Sequence, residues 1–225
     1  MVAAAVIDAA GRVLIAQRPA GKHLAGGWEF PGGKLEPVEE RLAGLARELR
    51  EELGIEIATP RPLIRVRHAY PTREVLLDIW VVRRYSGEPR GLDGQALRWC
   101  TQDELSTADL LPADKPIVAA LRLPEQLTEA SSPWYNIRGL SSIGRAGVGV
   151  EVTHHARLCG VFCASVSEAA AAARADADFL VLSQALPPGE LATLCRLVSV
   201  PVYSRGLAAE EAWALGASGT NEING

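Results

Sequence analysis

Gly33-Lys34-Leu35-Glu36-Pro37-Val38-Glu39-Glu40-Arg41-Leu42-Ala43-Gly44-Leu45-Ala46-Arg47-Glu48-Leu49-Arg50-Glu51-Glu52-Leu53-Gly54-Ile55 is the stretch whose reading decides the fold. Leu42, Leu45, Leu49 and Leu53, with Ala46, recur at helical spacing. Proline is tolerated in a first turn, so Glu36-Pro37 predicts a helix over 38–53. Glu39 and Glu40 then sit at the positive end of its dipole. Gly54 offers a left-handed stop, and Gly32-Gly33 forms a loop that lets backbone approach a ligand.

On such a helix, residues three and four apart are neighbours, so Glu48, Glu51 and Glu52 share one face. Carboxylates packed that closely repel one another, and the site calls for a cation to hold them. Hard oxygen ligands suit Mg²⁺, or Mn²⁺, and Mg²⁺ commonly handles phosphates. The competing reading is a solvated acidic helix face.

The whole run resembles the signature of the Nudix hydrolases. Gly33, Glu39, Arg47, Glu48, Leu49, Glu51, Glu52, Gly54 and Ile55 fill every fixed position of that pattern. The resemblance implies an α/β fold, an α/β/α sandwich with a mixed sheet. It also implies cleavage of a nucleoside diphosphate linked to a further group. Glu48, Glu51 and Glu52, with the Gly32 carbonyl, would hold metal, and Glu48 would serve as general base. Asp93, in Gly91-Leu92-Asp93-Gly94, would assist from a distant loop. It reads equally well as a turn-forming aspartate. Arg47 is expected to pair with Glu39 or Glu51 and orient the helix.

A narrower likeness runs through residues 2–123. Ala16-Gln17-Arg18-Pro19, His23, Trp28-Glu29-Phe30-Pro31-Gly32-Gly33, Gly87-Glu88-Pro89 and Leu111-Pro112-Ala113-Asp114-Lys115-Pro116-Ile117 resemble the mutator-type (MutT) 8-oxo-dGTP diphosphatases. That implies that Arg18 and His23 meet the phosphate and sugar side and that Phe30 packs on the base. Glu29, Pro31 and Gly32 complete the substrate-binding run. The family's base-reading position carries Asn, where this chain has Asp114. An amide donates and accepts, whereas an ionised carboxylate only accepts. A protonated Asp114 imitates Asn, and burial raises its pKa in that direction. Asp114 also reads as a cap for the helix through Pro116. The implied activity is nucleotide-pool sanitation. Its rivals are Nudix hydrolysis of ADP-ribose, a dinucleotide, or an oxidised or toxic pyrimidine nucleotide.

The net charge of −4 gives no global basic field for nucleic acid, so a nucleotide must be met by local positive groups and a metal. Cys100, Cys159, Cys163 and Cys195 show no paired CxxC spacing, which favours buried thiols over disulfides or zinc. The N-terminal run lacks a basic region and no stretch has bilayer-spanning length. A cytoplasmic protein without membrane partners is expected.

Val2–Ile7 and Arg12–Ala16 read as a hairpin around Asp8–Gly11. Strands are expected over 64–70, 75–85 and 97–100, and a helix over 115–123. This first domain is expected at 1–123, followed by a Pro- and Ser-bearing linker over 124–135. Residues 136–225 are Ala- and Gly-rich and alternate strand and helix: strands at 161–164, 179–182 and 200–203, helices at 167–175, 189–198 and 208–215. Alternation argues for parallel βα units. Ala175-Asp176-Ala177-Asp178-Phe179-Leu180-Val181-Leu182-Ser183, Val200-Pro201-Val202-Tyr203-Ser204-Arg205-Gly206-Leu207 and Leu215-Gly216-Ala217-Ser218-Gly219 resemble later strands of the thiamine-phosphate synthases, a (β/α)₈ barrel family. The family's paired-glycine phosphate loop stands here as Ser204-Arg205-Gly206. A truncated barrel must cover its edges, which points to a structural or homodimerising module; residual thiamine-phosphate synthase activity is the alternative.

Overall fold

A computed structural model of the chain describes residues 1–21, 24–128, 135–138, 158–175 and 177–223, with positions 136 and 138 as backbone only. The chain divides into two compact units, Met1–Val118 and Ala119–Gly225. Leu123, expected to end the first domain, and Leu127, expected in the linker, are buried in the core of the second unit, and the Pro124 carbonyl accepts the Tyr203 hydroxyl. Residues 129–134 of the expected linker lie outside the described residues.

The first unit runs β1 (Val2–Val6), β2 (Val13–Gln17), β3 (Trp28–Glu29), β4 (Gly32–Gly33), α1 (Arg41–Leu53), β5 (Glu56–Ala58), β6 (Arg61–Tyr70), β7 (Arg73–Val82), β8 (Arg84–Ser86), β9 (Leu97–Cys100) and α2 (Gln102–Thr107), and ends within α3 (Lys115–Ala120). Its principal sheet has the order β4-β1-β7-β6, with β1 parallel to β7 and the other pairs antiparallel, so it is mixed. Two smaller sheets, β3-β2-β9 and β5-β8, accompany it. Leu45, Leu49 and Leu53 of α1 pack with Val2, Ala4 and Val6 of β1 into one core cluster. That packing lays the acidic helix against the sheet beside β4.

Several expectations change. β1 and β2 are not a hairpin ladder; a single bridge, Ile7 to Val13, joins them. Both edges of β1 are taken by β4 and β7, so β2 pairs elsewhere, with β3 and β9. The helix starts at Arg41 rather than Val38. Val38 lies at φ 59 and is fully exposed, so the chain turns there. Glu39 is thereby outside the first turn, where its carboxylate accepts the Glu36 N–H at 2.9 Å. Leu42 of the expected apolar stripe is exposed, and Gly44 takes a buried place instead. The strand expected over 75–85 breaks at Arg83, and Arg84–Ser86 turns to pair with β5.

The second unit carries β10 (Gln126–Leu127), β11 (Tyr135–Arg138), β12 (Leu158–Cys163), α4 (Val166–Arg174), β13 (Phe179–Leu182), α5 (Pro188–Leu197), β14 (Val202–Ser204), α6 (Ala209–Ala214) and β15 (Gly219–Asn221). All pairs are parallel, in the order β10-β15-β14-β13-β12-β11. The earliest strand thus lies beside the last, as in a barrel wall, and the curled sheet is half of a barrel. Side chains alternate across β13 as pleating requires. Leu180 and Leu182 join the cluster containing the helix residues Ala169, Leu191 and Ala212, whereas Phe179 and Val181 pack with Leu127 and Tyr203. Burial on both faces explains the continuous apolar run. Phe179 meets Tyr135 and Tyr203 edge-on, with centroids 5.7 and 5.8 Å apart.

Candidate active site

Arg47 organises the acidic face of α1. Its guanidinium forks onto Glu39 at 2.8 and 2.9 Å and reaches Glu51 at 3.1 Å, Glu48 at 3.2 Å and the Lys34 carbonyl at 3.1 Å. Pairing is expected with Glu39 or Glu51; both are present, and Glu48 is added to them. This pairing holds the Glu39 carboxyl down at about 2. The repulsion among the glutamates, which argued for a bound cation, is met in this structure by Arg47. Among the described residues no three acidic, His or Cys side chains are gathered as a ready ligand set.

Glu48 and Glu52 face the Gly32-Gly33 strand. Glu48 lies directly over Gly33: a Cβ there would sit 2.2 Å from its Oε2. The Gly32 N–H donates to Glu52 Oε2 at 3.1 Å. Gly32 itself adopts φ 146, and a Cβ on it would strike the Val2 carbonyl at 2.3 Å. The paired glycines thus let two carboxylates come down onto bare backbone, a cradle of hard oxygens that fits a divalent cation.

Glu52, Asp93, Gln95, Pro31, Gly32 and Glu29 line one cleft. Asp93, from a distant loop, therefore borders the same cleft as Glu52. Phe30, Glu29 and Gly32 also border an adjoining open pocket with Arg18, Tyr70, Arg73 and Asp114. Arg18 is paired with Glu29 through Nη1, while its Nε is buried with no hydrogen-bond partner. Asp114 is 4% exposed. Its Oδ1 accepts the Phe30 N–H at 3.5 Å. Burial, and next the Glu29 charge, push its carboxyl up to about 7, against the opposing pull of the Phe30 N–H and Arg18.

His23 lies outside the described residues. Glu51 points to solvent rather than into either pocket. Tyr70, Arg73 and Gln95 were missed by sequence reading. Arg73 falls in the gap between the strands expected over 64–70 and 75–85, and Gln95 carried no motif signal.

Residues 2–120 match the model of the NUDIX domain. The chain belongs to the NUDIX family. It is similar to the CTP pyrophosphohydrolase of Escherichia coli K12, 42% identical over 53% of this chain and 88% of that protein. It is also similar to the 8-oxo-dGTP diphosphatase of the same organism, 36% identical over 49% of this chain and 85% of that one. The 8-oxo-dGTP diphosphatase of Proteus vulgaris is 44% identical over 39% of this chain and 79% of its own length. All three matches cover at most about half of this chain. As a NUDIX protein it carries the signature glutamates in a setting whose oxygen donors fit the divalent cation that the family generally uses. No helix among the described residues is long and apolar enough to cross a membrane.

Proposed function

We propose that the first unit is a Mg²⁺-dependent nucleoside triphosphate pyrophosphohydrolase converting 8-oxo-dGTP to 8-oxo-dGMP and pyrophosphate. Such an enzyme works on the cytoplasmic nucleotide pool and keeps oxidised guanine out of DNA. The observation that carries the reading is the pocket where buried Asp114, Phe30 and Arg18 meet, opening beside the cleft of Glu52 and Asp93. 8-Oxoguanine presents an N7–H donor beside its O6 acceptor. A carboxyl poised near neutrality supplies an acceptor and, when protonated, a donor, which is the pair an Asn would offer.

Glu48, Glu51, Glu52 and the Gly32 carbonyl would hold the metal, and Mn²⁺ is an alternative to Mg²⁺. A cation held by these residues would neutralise phosphate oxygens and make water a stronger nucleophile. In this reading Glu48 takes the proton from the attacking water, and Asp93 assists from across the cleft. Attack at phosphorus breaks a P–O bond and releases pyrophosphate. Arg18 and Glu29 orient the nucleotide, and Phe30 packs on its base.

A second reading is hydrolysis of CTP. An ionised Asp114 accepts from the 4-amino group of cytosine, and the 42%-identical relative carries that activity in its name. ADP-ribose and dinucleotides remain as further rivals. The test is hydrolysis of 8-oxo-dGTP, dGTP, CTP and ADP-ribose with Mg²⁺, wild type beside Glu48→Gln, with products separated by chromatography. Highest kcat/KM on 8-oxo-dGTP, lost in the variant, supports the reading. Preference for CTP replaces the substrate but keeps the site.

For the second unit we propose a structural or homodimerising role over residual thiamine-phosphate synthase activity. Arg205, standing in the phosphate-loop position, bonds the Ile223 carbonyl. Asn221 spends its amide on the carbonyls of Leu182, Tyr203 and Ser204 at 3.1, 3.3 and 3.0 Å. These groups fill the strand ends where a barrel would bind ligand. Thiamine-phosphate formation from the two phosphorylated precursors would overturn this, and light scattering reads the oligomeric state.

A further inference from the structure

Glu52 is fixed at both ends. Its carboxylate accepts the Gly32 N–H, and its carbonyl accepts two donors from the loop before β9. These are the Leu92 N–H and the Gln95 side-chain amide, each at 3.0 Å. That carbonyl belongs to the last turn of α1, where C=O groups lack helical donors. The other end of the same Gln95 amide accepts the Asp93 N–H at 2.9 Å. The surrounding loop is equally constrained. The Arg90 N–H donates to the Leu53 carbonyl at 3.0 Å, and a Cβ on Gly91 would lie 2.0 Å from the Gln95 carbonyl. One buried amide therefore ties the end of the metal-binding helix to the loop that carries Asp93.

We propose that Gln95 is a positioning residue for hydrolysis, setting the Asp93 carboxylate against the Glu52 carboxylate across the cleft that all three line. The proposal rests on the reading of Asp93 and Glu52 as parts of the hydrolytic site. A primary amide suits the task because it donates and accepts at once; an ionised Glu keeps only the acceptor, and Met offers neither.

The test is a double-mutant cycle of Gln95→Met and Asp93→Asn, with Gln95→Glu beside it. It uses whichever of 8-oxo-dGTP and CTP the wild type cleaves faster. Q95M is expected to lower kcat about tenfold or more while KM moves less than about twofold, because the change misplaces a reacting group rather than a binding one. Q95E, which keeps the acceptor for the Asp93 N–H, falls between. In the D93N background Q95M costs less than about twofold, since coupled residues are not additive. If Q95M costs the same factor with and without Asp93, Gln95 is only structural and the proposal is overturned while Asp93 keeps its role. If D93N leaves kcat unchanged, the reading of Asp93 falls, and the role of Gln95 with it. Should Q95M fail to fold, Q95E in the same cycle gives the same decision.

Discussion

The Asp114 carboxyl accepts the main-chain N–H of Phe30 from 84 residues away in sequence. This bond joins the residue at the start of α3 to the glutamate-bearing side of the site. It holds a buried acid in the pocket lined by Phe30 and Arg18, beside a second carboxylate, Glu29. The first consequence is a pH-dependent stability. The folded-state pKa is raised to about 7, so ionisation in the pocket opposes folding. Asp114 leaves stability intact below about pH 4 and takes it away as pH rises to 7, after which the cost is constant. Its size is on the order of 4 kcal/mol. Asp114→Asn removes the titration, so the melting-temperature gap between variant and wild type should widen from pH 4 to 7 and then level.

Selectivity should follow the same proton. The protonated carboxyl donates to O6 of 8-oxoguanine, whereas the ionised one favours an amino donor such as that of cytosine. The ratio of kcat/KM for 8-oxo-dGTP over CTP should fall as pH rises from 6 to 8 and be flat in Asp114→Asn. Asp114→Ala should erase the preference for 8-oxo-dGTP over dGTP, about tenfold or more for a lost buried hydrogen bond. An unchanged preference ends the base-reading role.

The paired glycines separate chemistry from folding. A methyl on Gly33 meets the carboxylate end of the Glu48 side chain rather than backbone. Gly33→Ala should therefore lower kcat about a hundredfold, within the range for removing a proton-transfer group, with little change in melting temperature. Gly32→Ala drives a methyl into the backbone of Val2 and Ala3 at a positive φ, and should destabilise the unit by about 1–3 kcal/mol or more. Thermal unfolding beside steady-state kinetics distinguishes the two.

Arg47→Ala should leave Glu39 without its strongest partner. Glu39 is depressed to about 2, chiefly by that guanidinium. Its contribution is present above about pH 4.5 and lost as pH falls toward 2, so the variant should show a weaker acid-side slope of stability between those limits. Acid titration of unfolding in low salt is the check.

In the second unit, Phe179 is fully buried and fits against Gly160, where a Cβ would lie 2.3 Å from its ring. Phe179→Ala should cost about 3–5 kcal/mol by emptying that space. Denaturant unfolding of the full chain reads it.

The glutamate helix was legible because leucine spacing and charge agree over many residues. Its start was not, since Pro37 suits a first helical turn but equally suits the turn that Val38 makes. The three carboxylates and the pairing of Arg47 with Glu39 or Glu51 were legible; its further reach to Glu48 was not, because a guanidinium can reach in several directions and only packing chooses. Asp114 declared itself by departing from Asn, and its burial agrees with the pKa argued from sequence. Gln95 could not be seen: its role depends on a chain reversal that brings residue 95 to residue 52. The strands β3, β4 and β15 escaped because they are two or three residues long. α2 left a readable signal in Thr101 and Glu104, a reciprocal capping box.

The pairing of β10 with β15 sets the timing of folding. Gln126 registers with Thr220, so among the described residues the earliest strand of the second unit pairs only with the last one. Closing so long a loop is slow, and a ribosome adding about 5–20 residues per second delivers residue 126 seconds before residue 220. During that interval the edge of β10 is exposed to other chains. The first unit needs only residue 82 to complete the β1–β7 ladder, so the two halves mature in sequence, the hydrolase half first.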